Sequence, residues 1–212
     1  MSTLRVLTAS ALAFLIGGCA APTLKAPGDY PQLTVDASDD SILVFTQPGL
    51  DLSGFRKVLV EPVRMQARAG GKDEPVTTKE AQLIAEYLRT TVSGRLGKEF
   101  TLVDAPAADV LRIRFTVTDL QPTGAAQILM LVPPFSTVNL VSPKGAFTGS
   151  ITLGGEFFEG AAPQASAAFL VYRSRPGIDA TVAFGRLDAA KKVIDNFAER
   201  LAKDLAALRK KS

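Results

Sequence analysis

The sequence has no histidine and a single cysteine among its 212 residues. Histidine is the commonest general base near neutral pH and the commonest zinc ligand, so its absence excludes Ser-His-Asp, Cys-His and His-metal chemistries. A lone cysteine excludes an intramolecular disulfide, and the fold must hold by packing alone. A strong charge of either sign is also missing. The 24 basic and 21 acidic residues give +3, falling to +2 if Arg5 is removed with a leader, too small and dispersed to argue for nucleic acid. No uninterrupted apolar run reaches the roughly 20 residues that a membrane-spanning helix needs.

What is present begins with Arg5, an apolar stretch from Val6 to Ile16, and two small residues before Cys19. Charge, then apolar, then small is the order of a secretory signal. Leu15-Ile16-Gly17-Gly18-Cys19 resembles the lipobox of bacterial lipoproteins. The resemblance implies cleavage between Gly18 and Cys19, with Cys19 as the acylated, palmitate-bearing first residue of the mature chain. One acyl chain holds only marginally at about 0.8 kcal/mol per buried methylene, whereas the two or three chains of such lipoproteins hold durably. Ala20, rather than aspartate, follows the cysteine, which resembles the pattern sorted to the outer membrane in Gram-negative lipoproteins. The expectation is an outer-membrane lipoprotein facing the periplasm, attached to the membrane through its lipid.

The chain divides into a signal peptide (1–18), a lipidated N-terminus with a flexible tether (19–40), and a single domain (41–212). Pro22, Pro27, Gly28, Pro31 and the pair Asp39-Asp40 mark the tether, whose twenty-odd residues could reach roughly 60–70 Å fully extended. The domain is long enough to bury a core of its own.

Within the domain, Ile42–Phe45 and Lys57–Val63 read as strands, with Pro62 pushing the second to a sheet edge or bulge. Gly70-Gly71-Lys72 lacks the spacing and the Ser/Thr of a phosphate loop and reads as a turn. Thr77 with Glu80 forms a capping box, and Ala81, Ile84, Leu88, Val92 and Leu96 then recur at helical spacing until Gly97. Phe100–Val103 reads as a short strand. Leu111, Ile113, Phe115 and Val117 alternate with Arg112, Arg114, Thr116 and Thr118, predicting one core face and one wet face. The two arginines are read as solvated on that open face, with an anionic ligand as the alternative. Ser150–Phe158 and Ala165–Arg173 read as strands, with Thr181–Phe184 as an added edge. Leu187, Ala190, Ile194, Phe197, Leu201, Leu205 and Leu208 make the stripe of a C-terminal helix, whose basic end, Arg209-Lys210-Lys211, suits the helix dipole.

The expected fold is therefore α+β: two layers, a mixed, mostly antiparallel sheet of about five or six strands, and two long helices on one face. The stretch from Lys57 to Leu111 is long enough for a right-handed βαβ crossover.

One tract is out of the ordinary. No charged residue occurs from Leu120 through Pro143, and Ile128–Val132 runs into Pro133-Pro134-Phe135. Such a stretch must be covered. It is read within an apolar insertion, residues 120–149, uncharged through Pro143, that either turns inward at the prolines or contacts a partner or the membrane. On the second alternative Leu129, Leu131, Val132 and Phe135 are the contact residues.

Asp51-Leu52-Ser53-Gly54-Phe55-Arg56-Lys57-Val58-Leu59-Val60-Glu61-Pro62-Val63 resembles a motif of the bacterial lipoprotein family DUF3313, a domain of unknown function. Leu102-Val103-Asp104, the Leu131–Pro134 step and Asp195–Leu201 fall where similar stretches occur in that family. Its members often carry tryptophan where this chain has Phe197, a departure that touches packing. The family brings no catalytic residues to carry over.

The reading is a non-enzymatic envelope lipoprotein that binds a protein partner, with no cofactor, no metal and no nucleic acid. A second reading is a homo-oligomeric assembly or pore component in which residues 120–149 insert or pair between subunits. A third is a hydrolase. Its candidates are Ser142 with Lys144 as nucleophile and base, or paired carboxylates among Glu61, Glu156 and Glu159.

Overall fold

A computed structural model of the chain describes residues 24–69, 76–122, 149–174 and 185–210. The elements, in chain order, are β1 (Thr34–Val35), β2 (Ile42–Thr46), β3 (Lys57–Val60), β4 (Arg64–Ala69), α1 (Thr78–Leu96), β5 (Thr101–Leu102), β6 (Val110–Gln121), β7 (Ser150–Glu159), β8 (Ala167–Ser174) and α2 (Asp188–Lys210). Among the described residues eight strands share one sheet in the order β1-β2-β8-β7-β6-β3-β5, with β4 also paired to β6. The α+β class, the mixed sheet and the two helices are as expected, and the strand number exceeds the expected five or six.

The two additional strands are β1, inside the presumed tether, and β4. Arg64-Met65-Gln66-Ala67-Arg68-Ala69 has no β-branched or aromatic residue, so nothing in its composition marks it as a strand. Its position comes from its neighbour. Strands β3 and β4 are two halves of one run along β6, separated by Glu61-Pro62-Val63. Pro62 has no N–H for the ladder, and the Glu61 N–H donates to Ile113 O at 2.9 Å as the last rung before the break.

Strand β6 is the backbone of the domain, parallel to β3 and β4 and antiparallel to β7. Leu111, Ile113, Phe115 and Val117 are buried on its helix-bearing face. Strict alternation would next turn Asp119 inward. A bulge between Val117 and Asp119 shifts the register so that Leu120 enters the core instead.

Helix α1 begins at the expected capping box: Glu80 N–H donates to Thr77 Oγ1 at 3.2 Å and Thr77 N–H to Glu80 Oε2 at 2.9 Å. Ile84, Leu88, Val92 and Leu96 are fully buried. In α2, Ala190, Ile194 and Leu205 are buried, Phe197 and Leu201 are partly buried, and Leu208 is exposed, so the stripe leaves the core in its last turn. The helices meet where Tyr87 Oη donates to Asp195 Oδ1 at 2.7 Å. Among the described residues no helix is long and apolar enough to cross a membrane.

Phe157, Phe169, Phe197 and Phe115 form a chain of ring contacts at 6.1, 5.6 and 5.8 Å between centroids. Each such pair contributes about 0.5–1.5 kcal/mol beyond area burial. Gly155 makes room for it, since a methyl group there would overlap the Phe169 ring.

Candidate functional site

Gly18, Cys19, Leu129, Leu131, Val132, Phe135, Ser142 and Lys144 lie outside the described residues, as does the predicted edge Thr181–Phe184. The carboxylate candidates are described. Glu159 is exposed at the end of β7, while Glu61 and Glu156 meet at Arg114.

Both expected roles of the arginines are replaced by a closed network. Glu61 Oε1 accepts from Arg112 Nη1 at 2.9 Å and Glu61 Oε2 from Arg114 Nε at 2.8 Å. Arg112 also donates from Nε to Gly160 O at 2.6 Å and from Nη2 to Ala162 O at 2.5 Å, fixing the β7–β8 turn. The two guanidinium groups lie 4.8 and 4.7 Å from the Phe158 ring centroid. These are partly buried, ion-paired side chains rather than solvated ones, because β3 ends just before Glu61, which lies beside Ile113, between the two arginines of the neighbouring β6. With both oxygens of Glu61 engaged by arginine, it offers no free base or nucleophile.

The described surface carries an apolar groove on the helix side. Its walls are α2 and the inner faces of β7, β8 and β2, and it encloses about 470 Å³. Leu153, Phe157, Phe169 and Val171 form the floor, with Ile42, Val44, Phe197 and Leu201 along the sides. Register places Ile42 opposite Val171 and Val44 opposite Phe169, so the exposed flank of the groove is β2, whose apolar side chains are only partly buried. The rim is ionic and of both signs: Asp36, Arg173, Arg200 and Asp204. Arg173 Nη2 pairs with Asp39 Oδ2 at 2.9 Å, and Arg173 also bonds Ser41 Oγ, tying the turn before β2 to the end of β8. Asp39 is held below the usual carboxylate range, chiefly by the Ser41 hydroxyl and amide and also by Arg173. The Arg200–Asp204 pair, at 3.9 Å along the groove's α2 rim, is exposed.

On the opposite face of the sheet lies part of the segment read as a tether. Pro27 is buried, Tyr30 N–H donates to Pro27 O at 3.1 Å, and Asp29 Oδ2 pairs with Arg64 Nη1 at 2.6 Å. Tyr30 Oη rests on Gly154, which is flanked in register by Thr116 and Leu170. Burial pushes the Tyr30 phenol up to about 12. Glu156, on the same face and 3% exposed, is raised above the ordinary glutamate range, burial outweighing the opposing pull of Arg114. Among the described residues, the buried Tyr30 and Thr116 hydroxyls have only each other as partners, and buried Glu156 Oε2 accepts no hydrogen bond, its nearest cation being Arg114 Nη1 at 3.8 Å. No three acidic side chains converge as a metal site among the described residues.

Residues 23–201 match the family described as "Protein of unknown function (DUF3313)". The chain belongs to the DUF3313 family. Among solved structures, this DUF3313 chain is similar to the PelC dodecamer from Paraburkholderia phytofirmans (10% identity, TM-score 0.41), covering 74% of this chain and 96% of that one. It is similar to a DUF330 protein from Xanthomonas campestris (9%, TM-score 0.42, covering 78% and 92%). A third is a minor lipoprotein from Acinetobacter baumannii (15%, TM-score 0.36, covering 73% and 93%). Likenesses this distant carry no functional conclusion. No curated protein matches the DUF3313 chain in sequence.

Sequence reasoning missed the groove and the seated N-terminal segment of this DUF3313 domain. The groove's residues come from β2, β7, β8 and α2, each of which reads as ordinary core alone. For Tyr30, a large aromatic among prolines and polar residues was a usable signal that the segment has something to pack against.

Proposed function

We propose that this DUF3313 chain is a non-enzymatic envelope lipoprotein, anchored through Cys19 in the outer membrane and facing the periplasm, that binds a protein partner in the groove between α2 and strands β2, β7 and β8. The observation that carries the reading is the groove itself. It joins an apolar floor to a rim of both charges, the arrangement of an interface core surrounded by a polar margin. The uncharged tract supports the same reading. In sequence it precedes β7, whose Ile151 is a groove residue, and Leu129, Leu131, Val132 and Phe135 are proposed as added contacts.

Site-specific photo-cross-linking in living cells tests this. A cross-linker at Asn196, which is exposed beside the groove, is compared with one at Glu86 on the outer side of α1. A discrete adduct from Asn196 that is absent from Glu86 is the expected result. Equal adducts from both positions, or none from Asn196, contradict the groove as the contact surface. An adduct at multiples of the chain's own mass assigns the groove to self-association instead.

A further inference from the structure

The segment from Leu24 to Tyr30 begins five positions after Cys19 and ends four positions before β1. It lies on the sheet's back face through three attachments: the buried Pro27, the Asp29–Arg64 pair, and the Tyr30 ring over Gly154. Gly154 is what admits the tyrosine, for a methyl group there would overlap Tyr30 Oη and stand 3.0 Å from Cζ. The neighbouring β7 and β6 positions are filled by Glu156 and Thr116, 3% and 1% exposed.

The attachment is balanced rather than tight. Apolar burial of the Tyr30 ring and of Pro27 favours it. The ion pair adds little, because both its side chains are more than two-fifths exposed. Beneath the segment, among the described residues, the Tyr30 and Thr116 hydroxyls have only each other, and Glu156 Oε2 accepts no hydrogen bond, its nearest cation being Arg114 Nη1 at 3.8 Å, so these buried polar groups gain water when the segment lifts. Beside the segment's first residues is a cavity of about 540 Å³, walled by Leu24–Gly28 on one side and by Thr118, Gln121 and Tyr172 on the other, so the segment is incompletely packed along its start.

We propose that Leu24–Tyr30 is a detachable latch that sets how far the folded domain stands from its lipid anchor. With Tyr30 seated on Gly154, the five-residue step from Cys19 to Leu24 limits the domain to roughly 17 Å from the lipidated residue. With Tyr30 lifted, the free chain runs from Cys19 to β1, and the limit becomes roughly 50 Å while β1 stays paired with β2. The distances rest on the reading of Cys19 as the anchor; the seating of Tyr30 does not.

Hydrogen exchange on the full lipidated protein in vesicles tests the seating. The wild-type Tyr30 amide, which donates to Pro27 O, exchanges at least tenfold slower than unprotected chain. In Tyr30→Ala and in Gly154→Val that protection is lost while amides of β6, β7 and β8 keep theirs. Tyr30→Ala leaves the sheet sequence intact, so it remains informative if Gly154→Val fails to fold. Energy transfer from a dye on Lys98→Cys to an acceptor in the lipid headgroups falls in both variants. Wild-type protein unprotected at the residue 30 amide, or variants that keep that protection, overturns the latch; lost protection with unchanged transfer overturns its control of distance. A chain carrying no lipid defeats the anchor reading instead, and the exchange result still decides the seating.

Discussion

Phe197 of α2 stands edge-on to Phe115 of β6, ring centroids 5.8 Å apart and planes at 89°. Phe115 is fully buried and Phe197 partly so, so this contact fixes the last helix to the central strand and also forms one wall of the groove. Phe197→Ala removes the ring from a site that cannot fully collapse, and a loss of about 3 kcal/mol is expected. That corresponds to a fall in Tm of roughly 6–12 °C for a domain of this size. A thermal melt of the soluble domain checks it.

Glu156 gives the domain a pH dependence of uncommon sign. It faces Arg114 and Glu61 across β6, Asp29 and Arg64 at the edge of the N-terminal segment, and the Tyr30 phenol. Burial raises its folded-state value above that of the unfolded chain, so the folded state keeps the proton where the unfolded state has lost it. The stability tied to that proton is fully present below the ordinary glutamate range and is lost as pH rises through the raised value. Glu156→Gln is therefore expected to be more stable than wild type at pH 7–8, with the gain shrinking as pH falls toward about 4.3, the ordinary glutamate value. Urea titrations of both proteins across that range measure it.

Much of this fold was legible because its elements carry local signals. The Thr77–Glu80 box, the α1 stripe through Leu96 and the alternation in β6 each depend on neighbours within one element. Pro62 announced a break by its missing N–H. What was not legible depends on pairing between distant segments: β4 is a strand because β6 lies beside it, and Arg112 and Arg114 are ion-paired and only partly exposed because Glu61 reaches them. The groove is likewise a property of four elements together. Tyr30 shows the same limit, since its seat exists only because position 154, 124 residues later, is glycine.

The uncharged tract offers a separable test of the proposed contact surface. Leu131→Asp at an exposed contact carries no burial penalty, so Tm is expected to shift by no more than about 3 °C, the change corresponding to roughly 1 kcal/mol. The same variant is expected to lose the Asn196 adduct in cells. A carboxylate forced into the core without a partner would instead cost several kcal/mol. A Tm lowered by more than about 10 °C would place Leu131 in the core.

Attachment at Cys19 is the claim on which the reading as an envelope lipoprotein stands, and the intact mass of the protein purified from membranes tests it most directly. The account predicts a mature chain that begins at Cys19 and carries acyl chains, and a Cys19→Ser variant that remains an unlipidated precursor retaining residues 1–18. A wild-type chain that begins at any other residue, or that begins at Cys19 without lipid, would contradict it.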